Sequence, residues 1–243
     1  MQLTPQARAA IELADEVLYV ASDPLEMEWI ERLNATTRSL HGYYGPDKDR
    51  ARTYAEIVEE ILARVRLGLN VCAAFYGHPG VFVNPGHEAI RRARREGFGA
   101  RMLPGISAED CLFADLGIDP GDLGCQSFEA TTLLVYRCRI DTAATLVLWQ
   151  IGFLGEVAAP AAPPCPRLDV LVEYLLAFYP PDHETIFYQA SPYAIGEPIV
   201  QRVPLEDVPS LDEVPPSATM VLPRTAMPTL DLTMLDRLGM PRP

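Results

Sequence analysis

A chain of 243 residues, 49 % apolar and 22 % charged, can bury one large core or two smaller ones, and its composition excludes a disordered polymer. Its net charge of −13 excludes the large basic field that duplex nucleic acid requires, so no nucleic-acid partner is expected. No apolar run is long enough to span a bilayer and no signal pattern opens the sequence, which predicts no membrane partner and a soluble, cytoplasmic protein.

Helix and strand signals alternate from the start. TPQARAAIELAD offers a Thr cap, Pro at the first helical position and apolar residues at helical spacing; EVLYVAS follows as a short β-rich run. DPLEMEWIERLN predicts a second helix. RTYAEIVEEILARVRLG predicts a longer one, with Tyr54, Ile57, Val58, Ile61, Leu62 and Val65 on one face and Gly68 as its stop. NVCAAFYG is a near-continuous apolar run, as in a strand covered on both faces of a parallel sheet. HEAIRRARREG predicts a helix ending at Gly97, with its arginines on a solvated face, and ARMLPG predicts a further strand. ISAEDCLFADLGI predicts a helix that Ser107 could cap, with Glu109 and Asp110 near the positive end of its dipole.

Beyond DPGDLG at 119–124 the class persists with a different texture. GCQSFEA, ATLVLWQIG, ETIFYQAS, PIVQRVPL and SATMVLPR are predicted strands, and LDVLVEYLLAFY is a predicted helix between Pro166 and Pro180. Strands that follow one another so directly suit a mixed sheet. VAAPAAPPCP reads as a loop inside this second part rather than a linker. The expected architecture is α/β: two αβα domains, 1–122 and 123–243, with a cleft between them. Five cysteines, at 72, 111, 125, 138 and 165, are odd in number and lack CxxC spacing, so neither a disulfide framework nor a zinc site is expected, and most read as small buried apolar residues.

Two tight turns, YGHPG and LPGIS, each follow a predicted strand, where open parallel sheets bind ligands. Gly77, Gly80 and Gly105 allow unusual dihedrals and close approach, while Pro79 and Pro104 stiffen the turns. GxGxxG and GxxxxGK[ST] are absent. His78 and His87 lack any metal-ligand spacing, so no metal is expected.

YGHPGVF, MLPGISAEDCLFADLGIDP, CQSFEA and DTAATLVLWQIG, in that order, resemble the catalytic domain of the borosin peptide backbone α-N-methyltransferases, a branch of the tetrapyrrole methylase superfamily. Other members of that superfamily usually have GDP where this chain has GHP. The resemblance implies a homodimeric methyltransferase that uses S-adenosylmethionine and releases S-adenosylhomocysteine. By matching positions it implies cofactor contacts at Tyr76, His78, Val81, Phe82, Ser107, Ala108 and Gln150, with Gln189 and Ala190 as weaker candidates. It also places catalytic groups in HGYYGPDKDRARTY, at Tyr44, Arg50 and Tyr54.

An amide nitrogen is a poor nucleophile because its lone pair is delocalised into the carbonyl. Its methylation needs proton removal, stabilisation of an imidate-like oxygen and in-line placement of the methyl group. The expectation is that Arg50 lowers a neighbouring tyrosine's pKa and stabilises negative charge, while Tyr54 or Tyr44 takes the proton. The superfamily usually begins with a strand and a Gly-rich turn, whereas this sequence opens on the helix expected after them, so the expectation is either that the first strand is missing or that the true start lies upstream. Fused borosins continue into a clasp and core peptide; the corresponding expectation here is a split enzyme acting on a separate precursor. The alternatives are a tetrapyrrole or other small-molecule methyltransferase of the same fold, and a non-catalytic cofactor-binding relic.

Overall fold

The computed structural model describes residues 2–21, 23–45, 48–156, 167–191, 193, 196–211, 214–215, 218–225 and 227–242. The predicted loop at 157–166, with Cys165, lies outside them. The described residues fall into two compact units, one within 1–118, 155–165 and 189–199 and the other within 119–154, 166–188 and 200–243.

The first unit contains α1 (Pro5–Glu12), β1 (Glu16–Val20), α2 (Pro24–Leu33), β2 (Thr37–Ser39), α3 (Arg50–Arg66), β3 (Val71–Phe75), α4 (Asn84–Arg95) and α5 (Ala108–Leu116). The helix starts follow side-chain chemistry. Thr4 accepts from the Ala7 amide at 3.2 Å, Asp23 from Leu25 at 2.7 Å, and Asp49 from Ala51 at 2.7 Å. The three strands lie in the order β2-β1-β3, all parallel. One face of the sheet packs Leu18, Val20, Val71, Ala73 and Phe75 with Ile57, Val58, Ile61 and Leu62 of α3 and Ala89 and Ala93 of α4. The other packs Val17, Tyr19, Cys72 and Ala74 with Ile11 of α1 and Ile30 of α2.

Several expectations need correction. ARMLPG forms no strand: residues 100–105 join no ladder, because a strand needs a hydrogen-bonded neighbour as well as an apolar sequence. α4 begins at Asn84, three residues before His87, with Pro85 in its first turn, where a missing N–H costs no helix bond. On α3, Thr53 is buried while Tyr54 and Val65 are half-buried, so Tyr54 borders the core stripe rather than filling it. Cys72, Cys111, Cys125 and Cys138 are of intermediate exposure rather than fully buried.

The second unit contains β4 (Cys125–Glu129), α6 (Ala130–Val135), β5 (Thr145–Trp149), α7 (Leu168–Leu175), β6 (Glu184–Gln189), β7 (Ile199–Pro204), β8 (Thr219–Leu222) and α8 (Leu232–Leu238). Its sheet runs β4-β5-β8-β6-β7 and is mixed: β4 and β5 are parallel, and β8 is antiparallel to both β5 and β6. Leu146, Leu148, Met220, Leu222 and Phe187 pack with Leu171, Val172 and Leu175 of α7. The α6 helix has no sequence signal of the usual kind. Its cap is Glu129, which accepts from the amides of Thr131 at 3.0 Å and Thr132 at 2.7 Å.

Candidate functional site

The turn after β3 is built on its own main chain. Gly77 takes φ 71°, the Val81 amide bonds the His78 carbonyl at 3.0 Å, and the Gly80 amide donates to His78 Nδ1 at 3.0 Å. With Nδ1 accepting, Nε2 is the ring nitrogen left to donate. The carbonyl of Gly80 is held in turn by His87 Nε2 at 2.8 Å. His78 is therefore part of the turn's frame.

The two predicted turns meet. A Cβ on Gly105 would lie 2.5 Å from the Gly77 carbonyl oxygen and 3.2 Å from His78 Cα, and one on Gly80 would lie 2.7 Å from Met102 Sδ. Only glycine permits this approach, so YGHPG and LPGIS form one surface. Ser107 and Asp110 fix the start of α5 as a capping box: Ser107 Oγ accepts from the Asp110 amide at 3.2 Å, and Asp110 Oδ2 accepts from the Ser107 amide at 2.7 Å. The Ser107 hydroxyl also donates to Asp110 Oδ2 at 2.7 Å, and this bond, followed by that from the Ser107 amide and ahead of nearby His78, holds the Asp110 carboxyl below its usual pKa. Ala108 is the first residue of that helix.

Around the joined turns, Tyr76 is 57 % exposed and Phe82 48 %, with Val81 and Ile106 also open to solvent. Phe82 has φ 55°, a left-handed conformation that costs a bulky residue energy and collects at ligand sites. Gln150 carries φ 58° at the end of β5, in the second unit. Two of the predicted cofactor positions therefore sit on unusual backbone. Gln189 ends β6, and Ala190 lines a cavity of about 360 Å³ with Gln2, Ile106, Asp110, Cys111 and Tyr193.

The structure brings the predicted catalytic residues together. Tyr44 feels the charges of Tyr54, Tyr76 and Arg50, and Tyr76 feels those of Tyr54 and Glu26. Burial about its hydroxyl pushes Tyr44 up to about 12, although the residue is 41 % exposed. Arg50 acts the other way and is outweighed. Burial also raises Tyr76, ahead of its charged neighbours. Tyr54 further lines a cavity of about 350 Å³ between α3 and α4, with Ala51, Ala55 and Asn84. What the sequence did not reveal is that Tyr76, expected at the cofactor, shares a cluster with Tyr44 and Tyr54. Its place at the carboxyl end of β3 was the available signal.

The donor set suits an adenosyl cofactor. Aromatic and aliphatic faces at Tyr76, Val81, Phe82 and Ile106 could cover an apolar ring and thioether, while turn amides and His78 Nε2 offer polar contacts. No group of three or more His, Cys, Asp or Glu side chains among the described residues could hold a metal ion. No helix among them is long and apolar enough to cross a membrane.

Comparison with known proteins agrees with the fold. The family model for tetrapyrrole (corrin/porphyrin) methylases matches residues 1–206. The chain is 40 % identical over 230 residues to a methyltransferase/ribosomally synthesized type I borosin cyclic peptide precursor of Coprinopsis marcescibilis, covering 92 % of this chain and 59 % of that protein. It is 37 % identical over 241 residues to the methyltransferase/omphalotin A precursor of Omphalotus olearius, covering 98 % of this chain and 58 % of that one. It thus spans less than two thirds of the length of these relatives. A solved uroporphyrin-III C-methyltransferase from Thermus thermophilus, complexed with S-adenosylhomocysteine, superposes with a TM-score of 0.59 at 21 % identity, over 91 % of this chain and 86 % of that one.

Proposed function

We propose, from the premise that the chain belongs to the tetrapyrrole (corrin/porphyrin) methylase family, that it is an S-adenosylmethionine-dependent enzyme methylating backbone amide nitrogens of a separate precursor peptide. The observation that carries this reading is the cluster of Tyr44, Tyr54 and Tyr76 with Arg50, one member of which opens the glycine-rich turn. The names of the borosin relatives support the peptide as substrate. The reading includes a homodimer, which sedimentation velocity checks.

When bound, S-adenosylmethionine supplies an electrophilic methyl group on sulfonium. Tyr76, Val81, Phe82, His78 and the 77–80 main chain would seat it, with Ser107 holding the neighbouring helix in place. Tyr44, raised to about 12, keeps its proton at neutral pH and donates a hydrogen bond to the amide oxygen. Arg50 adds positive charge beside it as the imidate forms. Tyr54, four residues on from Arg50 along α3, first gives its own proton to solvent and then, as a phenolate, receives the amide proton to become a neutral phenol again.

The test incubates the protein with S-adenosylmethionine and an apolar peptide added as a separate chain, and locates the added mass by tandem mass spectrometry. Methyl groups on backbone nitrogens are expected, with losses of about a hundredfold or more in Tyr54→Phe and Arg50→Ala. Unchanged methylation in both variants would overturn the catalytic assignment. Turnover of a porphyrinoid but no peptide would overturn the substrate.

A further inference from the structure

We propose that Lys48 is a positioning residue for the reaction proposed above: its ammonium ties the peptide plane that precedes Tyr44 to α3, the helix that carries Arg50 and Tyr54. The inference rests on that functional reading and adds to it a group that touches no reacting atom. Tyr44 itself lies outside regular structure. It follows a single turn of 3-10 helix, His41–Tyr43, and is separated from α3 by residues 45–49. In such a connection a side chain keeps one orientation only where something else holds the backbone.

The holding bonds converge on Tyr43. Its carbonyl accepts from Lys48 Nζ at 2.6 Å and from Thr53 Oγ1 at 3.4 Å, and its hydroxyl donates to Glu60 Oε2 at 3.0 Å. Glu60 is in turn fixed by Arg64 at 2.7 Å. Thr53, Glu56 and Glu60 follow one another at helical spacing, so a single face of α3 receives these contacts. The Tyr43 carbonyl and the Tyr44 N–H belong to one planar peptide group. That N–H bonds the His41 carbonyl at 3.0 Å, so both polar ends of the plane are engaged, and the plane sets where the Tyr44 side chain departs.

Lys48 does more than form a surface ion pair. Its side chain is 24 % exposed, and Nζ also donates to Glu56 Oε2 at 2.5 Å. Glu56 already has Arg52 at 3.2 Å as a counter-ion, so charge balance does not require the lysine. A lysine pair at the surface contributes little by itself. What the ammonium adds is a bridge from helix to carbonyl, made by two of its three donors. Of the two donors on that carbonyl it is the nearer and the charged one, hence the stronger. Displacing a reacting group by about 1 Å can cost about a hundredfold in rate, which gives the bridge its consequence.

The test combines turnover of the full chain, with S-adenosylmethionine and the separate apolar peptide, and fluorine NMR of the same chain labelled with 3-fluorotyrosine, in which single Tyr→Phe variants identify the resonances. Lys48→Met keeps the stem and removes the donors. It should lower kcat at least about tenfold and change KM for S-adenosylmethionine by less than about twofold. It should also move or broaden the Tyr44 resonance while those of the buried Tyr19 and Tyr188 stay in place. Lys48→Arg, which keeps charged donors that reach both acceptors, should restore kcat to within about threefold and return the resonance. If Lys48→Met does not fold, the same readings are taken on Lys48→Gln, whose shorter stem misses the carbonyl. An unmoved Tyr44 resonance would overturn the proposal, as would an unchanged kcat where the wild type is active. Displacement of all the tyrosine resonances together would make Lys48 a stabilising residue only, and would overturn it too. A wild-type protein that methylates no peptide would end the functional reading itself, an outcome visible before any variant is made.

Discussion

At the scale of single residues, Tyr44 shows how placement overrides a neighbour's charge. Arg50 favours its ionised form, yet desolvation is the larger effect and Tyr54 and Tyr76 add to it, so the phenol is raised to about 12. The side chain therefore acts as a donor near neutrality, which separates its part from that assigned to Tyr54. The prediction is spectroscopic: in an alkaline absorbance titration of the folded protein, Tyr44→Phe should remove one tyrosinate whose midpoint lies near 12 rather than near the ordinary 10. Loss of a component near 10 would place Tyr44 in water and return it to the candidates for base. The stability linkage has the corresponding sign. A proton held more tightly in the folded state contributes stability that is complete below pH 10 and is lost as pH rises through the folded value.

At the scale of elements, helices were legible where a cap stands beside an apolar stripe, because both signals are local: Thr4 and Ser107 each announced a helix that formed. Asp49 was less plain, and its helix begins at Arg50, placing Arg50 and Tyr54 on the same face. Residues 100–105 were not legible as unpaired, since a ladder depends on a partner far away in sequence. The tyrosine cluster was likewise hidden in part. Tyr44 precedes α3 and Tyr54 lies within it, whereas Tyr76 arrives from β3 through packing alone. The capping box of α5 carries its own prediction. Ser107→Ala should cost about 1 kcal/mol in urea unfolding near neutral pH, the usual worth of an N-cap. Asp110 is depressed in the fold, so its contribution is present above the usual aspartate value of 3.8 and fades as pH falls through the folded value. The gap between wild type and Ser107→Ala should therefore narrow below that range. A gap that stays constant into strong acid would detach Asp110 from the box.

At the scale of the whole molecule, the excess of 33 acidic over 20 basic side chains leaves a net charge of −13 that no local pairing removes. Many arginines are already engaged: Arg66 with Glu59 and Glu96, Arg92 with Glu59, and Arg64 with Glu60. These surface pairs contribute little to stability singly, but they neutralise much of the positive charge on α3 and α4. Under the proposed function, an incoming peptide would meet a predominantly negative field, whose reach at physiological salt is about 8 Å. Such a field acts on encounter more than on the bound state, so its mark is a rate that depends on ionic strength. For two otherwise identical apolar peptides, one flanked by lysines and the other by glutamates, kcat/KM at low salt should favour the lysine form by about tenfold or more. The preference should arise in KM rather than kcat, because the flanks do not touch the reacting amide. Raising the salt to about 1 M, where screening shortens to about 3 Å, should bring the two peptides together. A preference that survives high salt would instead mean a specific contact with one flank, and a preference for glutamate would mean that a basic patch near the site outweighs the global charge.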